Sequence, residues 1–322
     1  MLRMRTRTRV DGVLLIDKPV GITSNQALGW VKRLFNATKA GHTGTLDPFA
    51  TGLLPVCLGE ATKFSADLLD ADKAYRATIR FGQTTTTGDL EGEVLETRTV
   101  DLGDAPRAKL EAALQAFRGP ISQVPPMYSA LKRDGKPLYE YARAGITLER
   151  VPRAVTIHQL DLEELSLTAE ATTAVIHVRC SKGTYIRTLA EDIGAALGCG
   201  AHLIALRRTQ VGPLDLTQAV TLDALEALEK DASPEEPVLA RRLKHLLPVD
   251  ALLTGLPLIQ LNEAQTRKFG QGQALADLPC AHVEGALVRV LDTQGALLGT
   301  AAWVQVRQEW LLQPKRLVVA PA

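Results

Sequence analysis

Residues 73–82, KAYRATIRFG, constrain the fold more than any other stretch. Tyr75, Ala77, Ile79 and Phe81 fall on every second position with Arg76, Thr78 and Arg80 between them, the period of a strand with one buried face. Further strands are predicted at 12–16 (GVLLI), 155–162, 171–180 and 202–211. Helical stripes lie between them. Ser24 opens one that runs to about Asn36 on Ala27, Val31, Leu34 and Phe35. Asp104 caps another that runs to Phe117, with Pro106 in its first turn and Gly119 after it. Thr184 caps a third, with Ile186, Leu189, Ile193 and Leu197 on one face and Gly198 as its stop. Thr221 begins a fourth. From about 251 the texture changes to short strands between glycines, so a boundary falls near 250 and a small β-rich module occupies 251–322.

The length of 322 residues suits one large domain or two, and 46% hydrophobic against 23% charged residues is ordinary for a globular chain. Apolar runs are too short for a membrane span, and no apolar segment or cleavage site follows the basic start MLRMRTRTRV, so a cytoplasmic protein is expected. Arg3, Arg5, Arg7 and Arg9 make residues 1–10 a cationic tail expected to be disordered. The four cysteines contain no CxxC pair; Cys199 and His202 have a ligand-like gap but no second pair, so no metal is expected. A net charge of +1 does not identify a partner. Residues 218–250, acidic and containing SPEEP, read as a surface connection.

Residues 41–64, GHTGTLDPFATGLLPVCLGEATKF, carry the chemistry-bearing candidates. Asp47 precedes Pro48, which disfavours helix at the aspartate and leaves it on a loop. The local residues fit two readings: a structural loop whose aspartate caps its own turn, or a carboxylate at a cleft floor acting as nucleophile or base. Tyr75 fits core packing or a flat pocket wall. Arg187 is a cation in a helix's first turn, opposing the macrodipole by about 0.3–1 kcal/mol unless an anion pairs with it. Residues 120–136, with three prolines, and the short helix after them read as a long functional excursion. No P-loop, Rossmann fingerprint or Ser-His-Asp motif occurs.

Six segments, GVLLIDKPVGITS (12–24), the 41–64 stretch, KAYRATIRFG, PPMYSALKRDGKPLYEYARAG (125–145), CSKGTYIRTLAEDIG (180–194) and CGAHLIALRR (199–208), resemble the bacterial tRNA pseudouridine synthase B (TruB) family in order and over nearly the whole chain. The resemblance implies an α+β catalytic core over 11–250 on a central, mostly antiparallel mixed sheet, and a PUA-like RNA-binding module over 251–322. It implies isomerisation of the uridine numbered 55 in the TΨC loop of tRNA by an enzyme that flips its base, with no cofactor, no metal and no obligate protein partner, acting as a monomer. Asp47 matches the catalytic aspartate, Arg187 its basic partner and Tyr75 the aromatic that stacks on uracil. His42 matches a residue holding extruded nucleotides, Tyr185 and Leu206 pocket walls, and Asp89 and Lys132 substrate contacts. The 120–145 excursion matches a mobile thumb. Rival readings are an RNA-binding or RNA-folding protein without catalysis, a guide-dependent catalytic subunit and an N-glycosidase.

Overall fold

The computed structural model describes residues 7–230, 236–276, 278 and 283–319. In chain order the first elements are β1 (Gly12–Lys18), α1 (Ser24–Leu34), β2 (Ala40–His42), β3 (Thr51–Leu58), α2 (Ser65–Leu69) and the alternating strand β4 (Lys73–Phe81). A hairpin of β5 (Gln83–Thr85) and β6 (Val94–Thr97) leads to α3 (Pro106–Gln115) and β7 (Gly119–Gln123). A short ribbon, β8 (Lys132–Arg133) with β9 (Lys136–Pro137), runs into α4 (Leu138–Arg143). The long strands β10 (Arg153–Leu167) and β11 (Thr172–Cys180) precede α5 (Ile186–Ala196), β12 (Ala201–Val211) and β13 (Leu214–Asp215). Then come α6 (Leu222–Lys230), α7 (Val238–Leu243) and β14 (Leu246–Leu247), and last β15 (Leu258–Gln260), α8 (Glu263–Gly270), β16 (Leu287–Leu291), β17 (Leu297–Val306) and β18 (Glu309–Leu317).

Ten strands form one sheet in the order β14-β1-β3-β12-β4-β11-β10-β7, with β2 added on β3 and β13 on β12. Every pair in it is antiparallel except β3 with β12. The apolar run of β1 is continuous because both its faces are covered. Leu14 and Ile16 pack with Ala27 and Val31 of α1, while Val13 and Leu15 pack with Phe64, Leu252 and Leu253. The β4 face of Ala77, Ile79 and Phe81 meets Leu110 and Leu114 of α3 and Leu189 and Ile193 of α5. Each such leucine contributes about 1.5–3 kcal/mol by leaving water. The small four-stranded sheet β15-β16-β17-β18 has its own cluster around Trp303, Phe269 and Val290.

Several boundaries differ from the sequence reading. Thr23, not Ser24, caps α1, because Gln26 completes a capping box with it and Ser24 is buried elsewhere. Asp104 does not cap α3: Ala105 occupies the cap without a side-chain bond, and Pro106, which has no N–H to satisfy, starts the helix. Thr184 donates to the Ser181 carbonyl and leaves the cap of α5 to Tyr185. The 120–145 excursion begins as the edge strand β7, paired with β10, and leaves the sheet only after Gln123. Within 218–250, β14 pairs with β1, so this stretch completes the large sheet. The N-terminal tail is anchored by residue 8: Thr8 bridges to Ala37, Arg9 pairs with Asp11 and Val10 is buried. Arg3, Arg5, Cys280 and most of SPEEP lie outside the described residues. Among the described residues no helix is long and apolar enough to cross a membrane.

Candidate active site

The parallel junction of β3 and β12 organises the site. Gly52 faces Arg208 across it, at φ +99°, and a Cβ at Gly52 would stand 2.3 Å from the Arg208 carbonyl oxygen. Only glycine permits that approach. The loop entering β3 carries Asp47. Ser24 holds it from α1, accepting the Leu46 N–H at 2.8 Å and donating to the Leu46 carbonyl at 3.1 Å. Lys18, fully buried at the end of β1, donates to the carbonyls of Pro19, Ile22 and Pro48. Arg208 donates to the carbonyls of Leu53 and Gly44. These clips leave the Asp47 carboxylate, 37% exposed, at the seam of two hollows of about 380 and 260 Å³.

Arg187 reaches this carboxylate from the first turn of α5, with Nε 3.1 Å from Asp47 Oδ2. Its remaining donors meet Asp89 Oδ2 at 3.4 Å, the Thr87 carbonyl at 2.9 Å and the Tyr128 carbonyl at 2.7 Å. The guanidinium is therefore almost completely buried yet fully engaged, and its awkward place at a helix start is explained by the acids that it serves. Asp89, matched by the resemblance to a substrate contact, takes the Thr87 hydroxyl and the Glu91 N–H on its Oδ1 in a local turn, and its Oδ2 faces Arg187. Burial raises Asp47 above the ordinary aspartate value; Arg187 pulls it back and Asp89 pushes it up again. Arg187 favours the ionised form of Asp47 while burial disfavours it, and the net direction makes this carboxylate more basic than a free one.

Tyr75 and Arg208 are cross-strand partners on β4 and β12. Burial pushes the Tyr75 phenol up to about 12, with Arg208 opposing it through charge and a hydrogen bond. Tyr75, Arg208, Tyr185, Leu206, Asp47 and Arg187 all line the smaller hollow. Gln123 of β7 fixes Tyr185 by taking its N–H at 3.0 Å and donating to its carbonyl at 3.3 Å. Asp89 lines the larger hollow with Glu91 and Asn25.

Two predicted residues stand apart. His42 sits on β2, lining neither hollow, its Nδ1 buried without a partner, and burial and Arg208 depress its basicity. Lys132 lies on the exposed β8–β9 ribbon beside Arg133, Arg150 and Arg153. Sequence reasoning missed Arg208, Ser24 and Lys18. Arg208 was findable: strand alternation places it two residues beyond Leu206, on the same face. Cys199 and His202 point to different partners, Gly194 and Gln83. Among the described residues no group of three side chains could hold a metal ion.

Family models match residues 32–254 and 257–318 of the chain. The N-terminal domain of TruB family pseudouridylate synthases matches residues 32–186, the tRNA pseudouridylate synthase B C-terminal domain 187–254, and the C-terminal region of pseudouridine synthase II TruB 257–318. The tRNA pseudouridine synthase B of Burkholderia mallei (strain NCTC 10247) is 57% identical over 321 residues, covering 98% of this chain and 99% of that protein. This chain belongs to the tRNA pseudouridine synthase B family. The family is one of isomerases that convert uridine in tRNA to pseudouridine. A further family member, from Cupriavidus metallidurans, is 57% identical over 318 residues and 97% of this chain, 95% of its own. Among solved structures, a Cbf5–Nop10–Gar1 complex superposes with a TM-score of 0.72 at 27% identity, covering 95% of this chain and 84% of that one. An H/ACA ribonucleoprotein bound to a substrate RNA containing 2′-deoxyuridine gives 0.71 at 25% identity, covering 96% and 85%. The α+β pseudouridine synthase fold, with a PUA-like C-terminal sheet, is shared with them.

Proposed function

We propose that this isomerase acts on the uridine numbered 55 in the TΨC loop of tRNA, as a stand-alone cytoplasmic monomer. The observation that carries the reading is a basic, Arg187-paired Asp47 in one hollow with Tyr75. The reaction breaks the C1′–N1 bond, turns the uracil, joins C5 to C1′ and removes the proton from C5, while N1, freed from the sugar, ends protonated, so that atoms are conserved. A carboxylate can serve by attacking C1′, by attacking C6 or by assisting glycal formation, and each route needs it ionised and unobstructed. Tyr75, a neutral phenol at pH 7, supplies a flat ring for uracil; to take the C5 proton it must first give up its own, and Arg208 against its oxygen stabilises the phenolate so formed, which the C5 proton then neutralises. A stacked loop base cannot reach Asp47, so it is flipped out, with His42 holding the neighbouring nucleotides. The 120–145 excursion, beyond its β7 start, closes on the RNA as the thumb, Lys132 and Asp89 contact the substrate, and Asp89 also holds Arg187 in place. Residues 251–322 add affinity as the PUA-like module, and a tRNA-folding activity accompanies catalysis.

Asp47→Asn is the direct test: pseudouridine formation is abolished while tRNA binds within severalfold. Turnover at the normal rate would remove Asp47 from the chemistry. Pure protein with an isolated TΨC stem-loop separates the rivals. Conversion without guide RNA excludes the guide-dependent reading, and free uracil with an abasic tRNA would indicate an N-glycosidase. Mapping the modified uridine checks position 55. A folding role predicts that Asp47→Asn still accelerates tRNA refolding.

A further inference from the structure

Ser129 carries a buried hydroxyl that makes no hydrogen bond of normal geometry in the free protein. It lines both hollows, next in sequence to Tyr128, whose carbonyl receives the Arg187 guanidinium. Its backbone is occupied: the N–H donates to the Met127 carbonyl at 2.9 Å and its carbonyl takes the Tyr139 N–H at 3.1 Å. The residue is 6% exposed, and its Oγ is buried without a hydrogen bond of normal geometry. The polar side chain set against it is Tyr185, whose phenol is raised by burial and drawn back down by the Ser129 hydroxyl. Buried polar groups are nearly always satisfied, so one that is not, on the wall of a reaction cleft, requires an explanation.

We infer that Ser129 Oγ, together with the Tyr185 hydroxyl, holds the uracil ring during the interval when no covalent bond joins it to the ribose. The inference rests on the pseudouridine reading above. In that interval the ring turns, so a given protein atom meets a carbonyl oxygen at one moment and an N–H at another. A carboxylate can only accept and a guanidinium can only donate, so Asp47 and Arg187 each suit one orientation alone. A hydroxyl does both and rotates freely. Ser129 and Tyr185 place two such groups on the hollow that Tyr75 and Asp47 also line. The serine comes from the segment after β7 and the tyrosine from the cap of α5, so two separate elements bring these hydroxyls to one hollow. The contact is made to the reacting base itself, which separates Ser129 from the groups that clip the Asp47 loop.

Steady-state kinetics and melting of the full-length Ser129→Ala protein, with a tRNA transcript as substrate, test this. The expected result is a kcat lowered about 5- to 30-fold, the effect of one lost hydrogen bond in the reacting complex, with KM within twofold of wild type. Tm is unchanged or higher, because the free enzyme loses no hydrogen bond of normal geometry. Ser129→Thr, which keeps the hydroxyl, recovers part of the lost kcat. A wild-type kcat in Ser129→Ala overturns the inference, as does a fall in Tm with kcat restored by assay at lower temperature, which would make the hydroxyl structural. Wild-type protein is assayed alongside. If it forms no pseudouridine, the underlying reading falls; if it does and Ser129→Ala matches it, only the role of Ser129 falls.

Discussion

Between pH 3.8 and the raised pKa of Asp47, the folded protein holds a proton there that the unfolded chain has already released. The stability this group contributes is therefore present below that window and is lost as pH rises through it, the reverse of an aspartate whose ion pair dominates. Asp47→Asn removes the charge and keeps the shape, so at pH 7 its Tm should equal or exceed wild type while turnover disappears. A Tm several degrees lower would mean that the Arg187 pair, not burial, dominates. The same logic governs rate. The acid limb of kcat/KM should lie above the value of an ordinary aspartate, because Asp47 must be ionised to act. Asp89→Asn should move that limb to lower pH, since the charge of Asp89 is one of the causes raising Asp47. An unmoved limb would count against the coupling. Arg187→Met should destabilise by about 3–5 kcal/mol in urea unfolding, because it strands the buried Asp89 charge. At this scale the sequence was informative about Arg187, whose misfit with the helix dipole asked for an anion. Which acids answer came from elsewhere: the family resemblance paired Arg187 with Asp47, and Asp89 emerged only from the fold, which brings both loops to α5.

The loop between β2 and β3 is stiff because three separate elements grip its backbone: Ser24 from α1, Lys18 from β1 and Arg208 from β12. Ser24→Ala leaves the Leu46 N–H and carbonyl unpartnered in a buried place, a cost of about 1–3 kcal/mol, with a lower kcat as Asp47 loses its aim. Urea denaturation and initial rates check both; an unaffected kcat would mean that the loop is held adequately without this clip. Capping shows why element boundaries were harder to read than elements. Thr23 and Ser24 are both good caps, and the choice was written three residues on, in Gln26, which pairs with Thr23. Pro106 similarly displaced Asp104 by starting α3 itself. The edge strand β7 was hidden because residues 119–123 carry glycine and proline and no alternation long enough to register; pairing with β10 makes them a strand.

The two sheets touch. Arg316 meets Asp67 at 2.8 Å, Lys63 donates to the Leu317 carbonyl, and Leu297 and Val318 pack against the cluster that contains Leu252 and Leu253. Ending the chain after Leu256 should therefore lower Tm by baring that apolar surface, and should weaken tRNA affinity more than it slows the bound reaction. Binding titrations and single-turnover rates distinguish the two effects, and undiminished affinity would refute a binding role for the small sheet. Affinity should also fall with salt, as phosphate contacts require. The sequence by itself determined the periodic strands and helices, the change of texture near 250, the aspartate held off helix by Pro48 and, through six ordered motifs, the family. These are local or additive properties, legible wherever side chains repeat with a strand or helix period. It took the folded chain to show that β3 and β12 meet in parallel at Gly52, that Arg208 pairs across from Tyr75, and that burial and Asp89 oppose Arg187 at Asp47. Each depends on groups far apart in the chain and on how much water remains between them, which no single segment encodes.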